Sequence, residues 1–429
     1  MIRPPLPLLL LACSTLLAAD PQPAAAPSLS ERLASLEKQL AEVSPEKNAR
    51  GSGIKISGYL DVSYIANLAN RDNTGPVAGS SLQNNGRVYD LQYNSFNLDA
   101  LQISIQKDKD DSKFPAGFQM DGVMGDKANV LDNSASLNDS KFYLQQAFID
   151  IDLPITQGLS LQAGKFITLL GYESADRYQN WSMSYTEAAR IFPGSQTGIR
   201  FVHKPNDHLK TSVGCVNGWD YIQPQAGALN FNTDFSFEGR VDVIEVESAC
   251  GTWSPAIVGY YGNDDIGSPT LNSHTIQEID AIVLLTKAGG CEPLSLAAEY
   301  AHRRDEMTVA SGPSPLEADT FSLFSKWDWN TWLSTSGFVS YSWYQNSSNS
   351  TLSPLVPHSN STQPGASENY AFTLTQTFKV WKDAMLRFEW RHDWTHSPSV
   401  GFGTTNPNGA PDDIRQDQDT LAVNLVVWF

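Results

Sequence analysis

Asp419-Thr420-Leu421-Ala422-Val423-Asn424-Leu425-Val426-Val427-Trp428-Phe429 closes the chain, and this stretch decides the fold. Leu421, Val423, Leu425, Val427 and Phe429 share one parity with Asn424 on the other, the period-two signature of a strand with one apolar face. The segment before it, 383–393, sets Leu386, Phe388 and Trp390 against Arg387, Glu389, Arg391 and Asp393. Such a row of charges is tolerable only if its face is wet, so the opposite face is the one suited to lipid.

The same alternation begins at Ile54, where Ile54, Ile56, Leu60, Val62 and Tyr64 oppose Lys55, Ser57, Asp61 and Ser63. About 16 such segments follow one another to the C-terminus. One of them, 92–107, breaks the pattern: Phe96, Leu98 and Ala100 lie on one parity and Leu101, Ile103 and Ile105 on the other, so a bulge is expected there. The connections sort by turns into short and long. Asp108–Lys113, Pro154–Gln157, Pro205–Asp207, Glu247–Thr252, Lys287–Pro293, Asn330-Thr331 and Trp381-Lys382 are tight, and every intervening connection is read as roughly a dozen residues or more. Short periplasmic turns, long external loops and an even strand number together define an outer-membrane barrel. A sandwich or propeller has no reason to sort its loops in this way. Trp327, Trp329, Trp332, Tyr341, Trp343, Trp381, Trp390 and Trp394 fall near strand ends, where rings prefer the membrane interface. The fold read from the chain is all-β: a transmembrane antiparallel up-and-down β-barrel over 54–429, of about 16 strands, with a short N-terminal periplasmic helix.

Composition excludes the competitors. The 429 residues include 11 Trp, 15 Tyr and 19 Phe, yet the mean hydropathy of -0.30 leaves no room for a bundle of apolar transmembrane helices. A barrel that is apolar outside and polar inside reconciles the two. A net charge of -18 argues against nucleic acid as a partner.

Residues 1–19, with Arg3, an apolar middle and Ala18-Ala19, read as a signal peptide, and 20–27 as an Ala/Pro linker. Leu29, Leu33, Leu36, Leu40 and Val43 recur at spacings of four and three, giving a short coiled-coil helix at 28–44 before a linker at 45–53. This helix suggests a homo-oligomer, a trimer among the options, or contact with the cell wall.

A barrel of this width leaves an aqueous lumen. The wet parity carries Arg200, Lys204, Arg240, Arg303, Lys326, Arg387, Glu389 and Arg391 as pore-wall candidates, with carboxylates interspersed. These charges either segregate into a transverse field or pair locally and keep the wall wet. The connection 169–195 carries Glu173, Asp176, Arg177, Glu187 and Arg190 with several rings, and folding inward would make these residues a constriction. Acidic pairs read as external, including Asp264-Asp265, Asp305-Glu306 and Asp412-Asp413, predict mild cation preference or none.

Gly164-Lys165-Phe166, Gly171-Tyr172-Glu173, Asn180, Ser182, Ser184, Phe192-Pro193 and Thr197-Gly198 resemble the pattern of the OmpL-like β-barrel porin-2 family. The resemblance spans 54–429, with its motif confined to 164–198. Where relatives often carry an Arg in the serine cluster this chain has Met183, which puts a basic role there in doubt. The resemblance implies a passive pore in the outer membrane of a Gram-negative bacterium, in contact with lipid and lipopolysaccharide. A substrate-selective channel and a barrel-anchored adhesion or envelope-tethering protein are the alternatives.

Other chemistry finds little support. Cys250 and Cys291 lie in two short turns on the oxidising side, so a disulfide stays open, with two strands between the turns. His392 and His396 are not a helical metal pair, and no metal, cofactor or nucleotide motif is present. No catalytic constellation stands out, so the chain is not read as an enzyme.

Overall fold

The computed structural model describes residues 53–68, 84, 87–110, 114–131, 142–219, 234–263, 271–309, 312–313, 315–346, 365–396 and 416–429. The signal peptide, Ala/Pro linker and coiled-coil helix expected within 1–44 lie outside the described residues. The barrel strands are β1 (Ile54–Asn67), β2 (Ser95–Lys107), β3 (Ala116–Met124), β4 (Phe142–Asp152), β5 (Leu159–Ile167), β6 (Ser195–Asn206), β7 (Leu209–Val216) and β8 (Ser236–Val243) in the first half. The second half holds β9 (Gly251–Asn263), β10 (Leu271–Thr286), β11 (Leu294–Val309), β12 (Leu316–Asp328), β13 (Leu333–Asn346), β14 (Gly365–Trp381), β15 (Ala384–Thr395) and β16 (Asp417–Trp428). Val246–Ser248 continues β8 along β9, and Gly312–Pro313 is a two-residue ladder on β11. Each strand pairs antiparallel with its chain neighbours, and β1 pairs with both β2 and β16. The result is a closed 16-strand barrel, without the unpaired edges of an open sheet.

The anomalous parity of the second strand has a local cause. Asp61 of β1 stands opposite Ala100 while Val62 stands opposite Leu98, so Asp99 is the extra residue of a bulge. Asp99 and Ala100 are both buried, and Leu98 and Ile103 remain exposed on either side of the shift. The bulge thus keeps the apolar residues outward on both sides of a break in alternation.

Two of the connections expected to be long are short. β10 begins at Leu271 and β11 runs to Val309, both beyond the expected strand ends, leaving only 264–270 and 310–315 as connections. Asp305 and Glu306 therefore belong to β11 and not to an external loop. Asp305 is 2 % exposed and pairs with Arg303, while Glu306 pairs with Arg304 at 3.1 Å. Their charges are answered on the strand, which removes them from the acidic mouth expected from the sequence.

The two faces are inverted relative to a water-soluble protein. Leu60, Phe96, Phe201, Phe237, Phe321 and Val423 stand exposed on the outside, and Asp61, Glu238, Arg303, Arg387 and Asn424 are buried inside. Rings gather at both ends of the wall. Trp327 and Trp329 lie 5.9 Å apart beside the β12–β13 turn, and Tyr370 stacks on Trp394 at 5.1 Å at the opposite end.

Candidate functional site: the lumen and its inward loop

Residues two apart on a strand share a face, and the inner wall uses this spacing repeatedly. Arg240 pairs with Asp242 at 2.7 Å, Arg303 with Asp305 at 2.6 Å, Lys326 with Asp328 at 2.9 Å and Arg391 with Asp393 at 2.7 Å. Arg200 instead reaches across a strand. It stands opposite Gly214, which stands opposite Glu238, and the guanidinium crosses the glycine to meet Glu238 at 2.7 Å. A Cβ on Gly214 would lie 2.8 Å from the Glu238 Cγ, so the pair depends on that missing side chain. Lys204 sits near the β6–β7 turn, 3.6 Å from Asp207. Five of the pore-wall candidates, Arg200, Arg240, Arg303, Lys326 and Arg391, are thus answered by a carboxylate close by.

The segment between β5 and β6 enters the barrel and crosses it. At its start, Gly171 N–H donates to Asp280 of β10 and Tyr172 N–H to Glu299 of β11, at 2.9 and 2.5 Å, while Arg240 of β8 donates to the Leu169 carbonyl at 2.7 Å. At its middle, the Arg387 Nη1 of β15 lies 3.0–3.3 Å from the carbonyls of Arg177, Asn180 and Ser182. Glu389 accepts the Met183 N–H at 2.6 Å, the Ser184 N–H at 3.0 Å and the Ser184 hydroxyl at 2.5 Å. Farther along, Arg391 donates to the Tyr185 carbonyl at 2.6 Å and Arg303 to the Ile191 carbonyl at 3.0 Å. Charged wall residues thus supply the hydrogen bonds that an irregular buried backbone needs. The pore-wall arginines hold the loop.

The constriction candidates divide by role. Arg177 opens a 3-10 turn, Arg177–Gln179, and is buried between Asp61 and Asp99 at 2.8 and 2.6 Å. Asp176 receives Lys127 at 2.7 Å. Glu187 and Arg190 bound the second 3-10 turn, with Glu187 3.4 Å from the Tyr344 hydroxyl and 3.8 Å from Arg391. Glu173 folds the loop on itself, accepting the Thr186 N–H and hydroxyl at 2.8 and 2.6 Å. The residues of the 164–198 motif have the same task. Asn180 bonds Ser174 in both directions, Phe192 covers Gly171, whose φ of 95° suits glycine, and Tyr172 packs edge-on to Trp181 at 6.0 Å. Met183 is buried with Ile65, Tyr93 and Ala422, so its slot is apolar.

Desolvation lifts the Glu173 carboxyl to about 7, against the two Thr186 hydrogen bonds and Arg391 and with the support of Glu389. A carboxyl that titrates higher in place than when released favours the held loop most below the ordinary glutamate range. That advantage is lost as pH rises toward 7. Loop opening, read as open-state current noise, is therefore expected to increase between pH 4.5 and 7, and Glu173→Gln to flatten the profile. A Glu173→Gln variant that keeps the wild-type profile would refute this.

Several lumen residues were not singled out from the sequence. Helix α1 (Asp126–Leu131) is buried through Ala128, Val130 and Leu131 against Tyr59, Val123, Tyr185 and Val426. Its Lys127 meets Asp176, the Tyr59 hydroxyl at 3.0 Å and Gln102 at 3.1 Å. Arg87, 4 % exposed, bridges Asp90 and Asp393, each at 2.8 Å. The only signal for these residues was charge inside an otherwise loop-like composition.

No disulfide joins Cys250, Cys291 or Cys215 on β7 in the structure. The turns carrying Cys250 and Cys291 touch, with Gly289 N–H donating to the Cys250 carbonyl at 2.9 Å. On the outer face, donor atoms of His392, Asp417 and Asp419 lie within 4.8 Å of one another, and Asp419 already receives Trp390 at 2.9 Å.

The sequence model of the family described as "Putative beta-barrel porin-2, OmpL-like" matches residues 53–429. No curated relative matches the chain by sequence. Among solved structures, an anion-selective porin from Comamonas acidovorans is 10 % identical with a TM-score of 0.55, covering 88 % of this chain and 99 % of that one. The trimer form of OmpT from Vibrio cholerae is 11 % identical with a TM-score of 0.53, at coverages of 88 and 99 %. The outer membrane channel DcaP of Acinetobacter baumannii is 9 % identical with a TM-score of 0.52, at 88 and 97 %. At such identities the likeness is one of fold.

Proposed function

Since the chain belongs to the OmpL-like β-barrel porin-2 family and hence to the Gram-negative outer membrane, we propose that it forms a water-filled channel for passive diffusion of small hydrophilic solutes and ions. Leu169–Ser195 narrows that channel, and the outer apolar face meets lipid and lipopolysaccharide. The observation that carries this reading is the loop strung between β8–β11 on one side and β15 on the other by wall charges. The barrel works as a conduit and not as a catalyst. In planar bilayers the purified protein should give stable conductance steps, and replacing 174–190 by a short Gly/Ser linker should enlarge them. Equal steps for both proteins would remove the constriction, and no steps for either would favour a closed anchor.

We propose homo-oligomerisation as well, the solved OmpT of Vibrio cholerae being a trimer form. Mass measurement in detergent tests it. Contact between the turns of Cys250 and Cys291 also supports a disulfide formed in the oxidising periplasm. Both thiols are expected to resist maleimide labelling in protein isolated without reductant and to react after reduction. Full labelling before reduction would exclude the bridge.

A further inference from the structure

The loop anchors named above fall on β8, β10, β11, β13, β15, β1 and β2, and none of them falls on β3 to β7. On that side the lumen keeps a cavity of ≈ 490 Å³ against β4–β8, in the half nearer the short turns. Its volume lies within the range of small-molecule pockets. Phe148, Leu169, Val202 and Ile244 give it an apolar wall, and Arg200, Lys210, Arg240 and Asp242 give it charge.

The charges do not cancel. Arg200 is answered by Glu238, and its Cζ lies 3.9 Å from the centre of the Phe166 ring. Arg240 is answered by Asp242 at 2.7 Å. Lys210 stands opposite Asp242 in the β7–β8 register, but that carboxylate is engaged by Arg240. Lys210 makes no hydrogen bond or ion pair among the described residues. One positive charge is therefore left over beside an apolar wall, in a partly enclosed space where charge interactions exceed those in water.

We infer that this cavity binds a small monoanionic solute with an apolar body, an aromatic carboxylate being the simplest form, with the anion on Lys210 and the body against Phe148. The inference deepens the channel reading, since the site lies in the lumen beside β4 to β7, strands that carry none of the loop anchors named above. Benzoate and its uncharged counterpart benzamide separate charge recognition from apolar partition. Calorimetry on the full-length, detergent-folded protein should show benzoate binding at least tenfold tighter than benzamide. Lys210→Gln should abolish that difference, and Lys210→Arg should keep it. Heat-modifiable gel mobility confirms that each variant is folded. Equal binding of the two probes, or a Lys210→Gln variant that still prefers benzoate, would overturn the site. In bilayers, benzoate on the short-turn side should reduce the wild-type current and leave that of Lys210→Gln unchanged. Benzoate binding in a protein without conductance steps would refute the channel and leave the site standing. Conductance steps that benzoate does not block, with no preference over benzamide, would refute the site alone.

Discussion

Glu389→Ala is expected to raise single-channel conductance several-fold and to open the inward loop to trypsin at Arg177 and Arg190. The Glu389 carboxylate accepts four hydrogen bonds, three of them from Met183 and Ser184 and one from the Thr375 hydroxyl at 2.7 Å. Hydrogen bonds to a charged group contribute about 1.5–3 kcal/mol each. Truncation strands two buried backbone N–H groups and leaves Arg387 and Arg391 on either side without the carboxylate between them. The loss expected, about 1–3 kcal/mol for each stranded N–H group, is enough to shift a held segment largely to its released form. Glu389→Gln retains an acceptor of the same shape and should fall between. Bilayer conductance and limited proteolysis check the effect, and a Glu389→Ala protein with native conductance and full resistance to trypsin would show that the loop does not depend on this anchor.

The fold was legible because a barrel in lipid writes itself at short range. Alternation in 54–64, 383–393 and 419–429 assigns faces residue by residue, and even the irregular strand disclosed its bulge through the parity break at Ala100. Strand ends were less legible: Asp305 and Glu306 look like loop charges until their partners on the neighbouring residues are known. The candidate site divides in the same way. Its wall arginines followed from parity, and their pairing with a carboxylate two residues on was present in Arg240-Val-Asp242, Arg303-Arg-Asp305, Lys326-Trp-Asp328 and Arg391-His-Asp393. That regularity could have been read as local neutralisation. Nothing at short range reveals that Asp280, Glu299 and Glu389 on strands far apart in sequence accept backbone N–H groups from one loop. Such contacts depend on closure of the barrel, and the loop's own motif residues show only how the segment folds on itself.

Arg177→Met is expected to be the most destabilising single change in the loop, because Arg177 ties the loop to the seam where the barrel closes. Its guanidinium meets Asp61 of β1 and Asp99 of the β2 bulge, with side-chain exposures of 5, 1 and 7 %. Asp61 also accepts the Asn424 side-chain N–H of β16 at 2.5 Å, Asn424 accepts from Arg387 at 2.9 Å, and Arg387 returns to the Arg177 carbonyl at 3.2 Å. The circuit joins the first two strands, the last two strands and the loop. Removing the arginine leaves two buried carboxylates facing each other, a loss of about 3–5 kcal/mol by the cost of breaking a buried pair. Neutralising the group as a whole should cost far less, since Asp61→Asn and Asp99→Asn in the Arg177→Met background leave no charge behind. Urea unfolding in lipid vesicles measures both. The triple variant should recover most of the stability lost by Arg177→Met, and a triple variant less stable than the single would show that hydrogen-bond geometry, and not uncompensated charge, holds the seam.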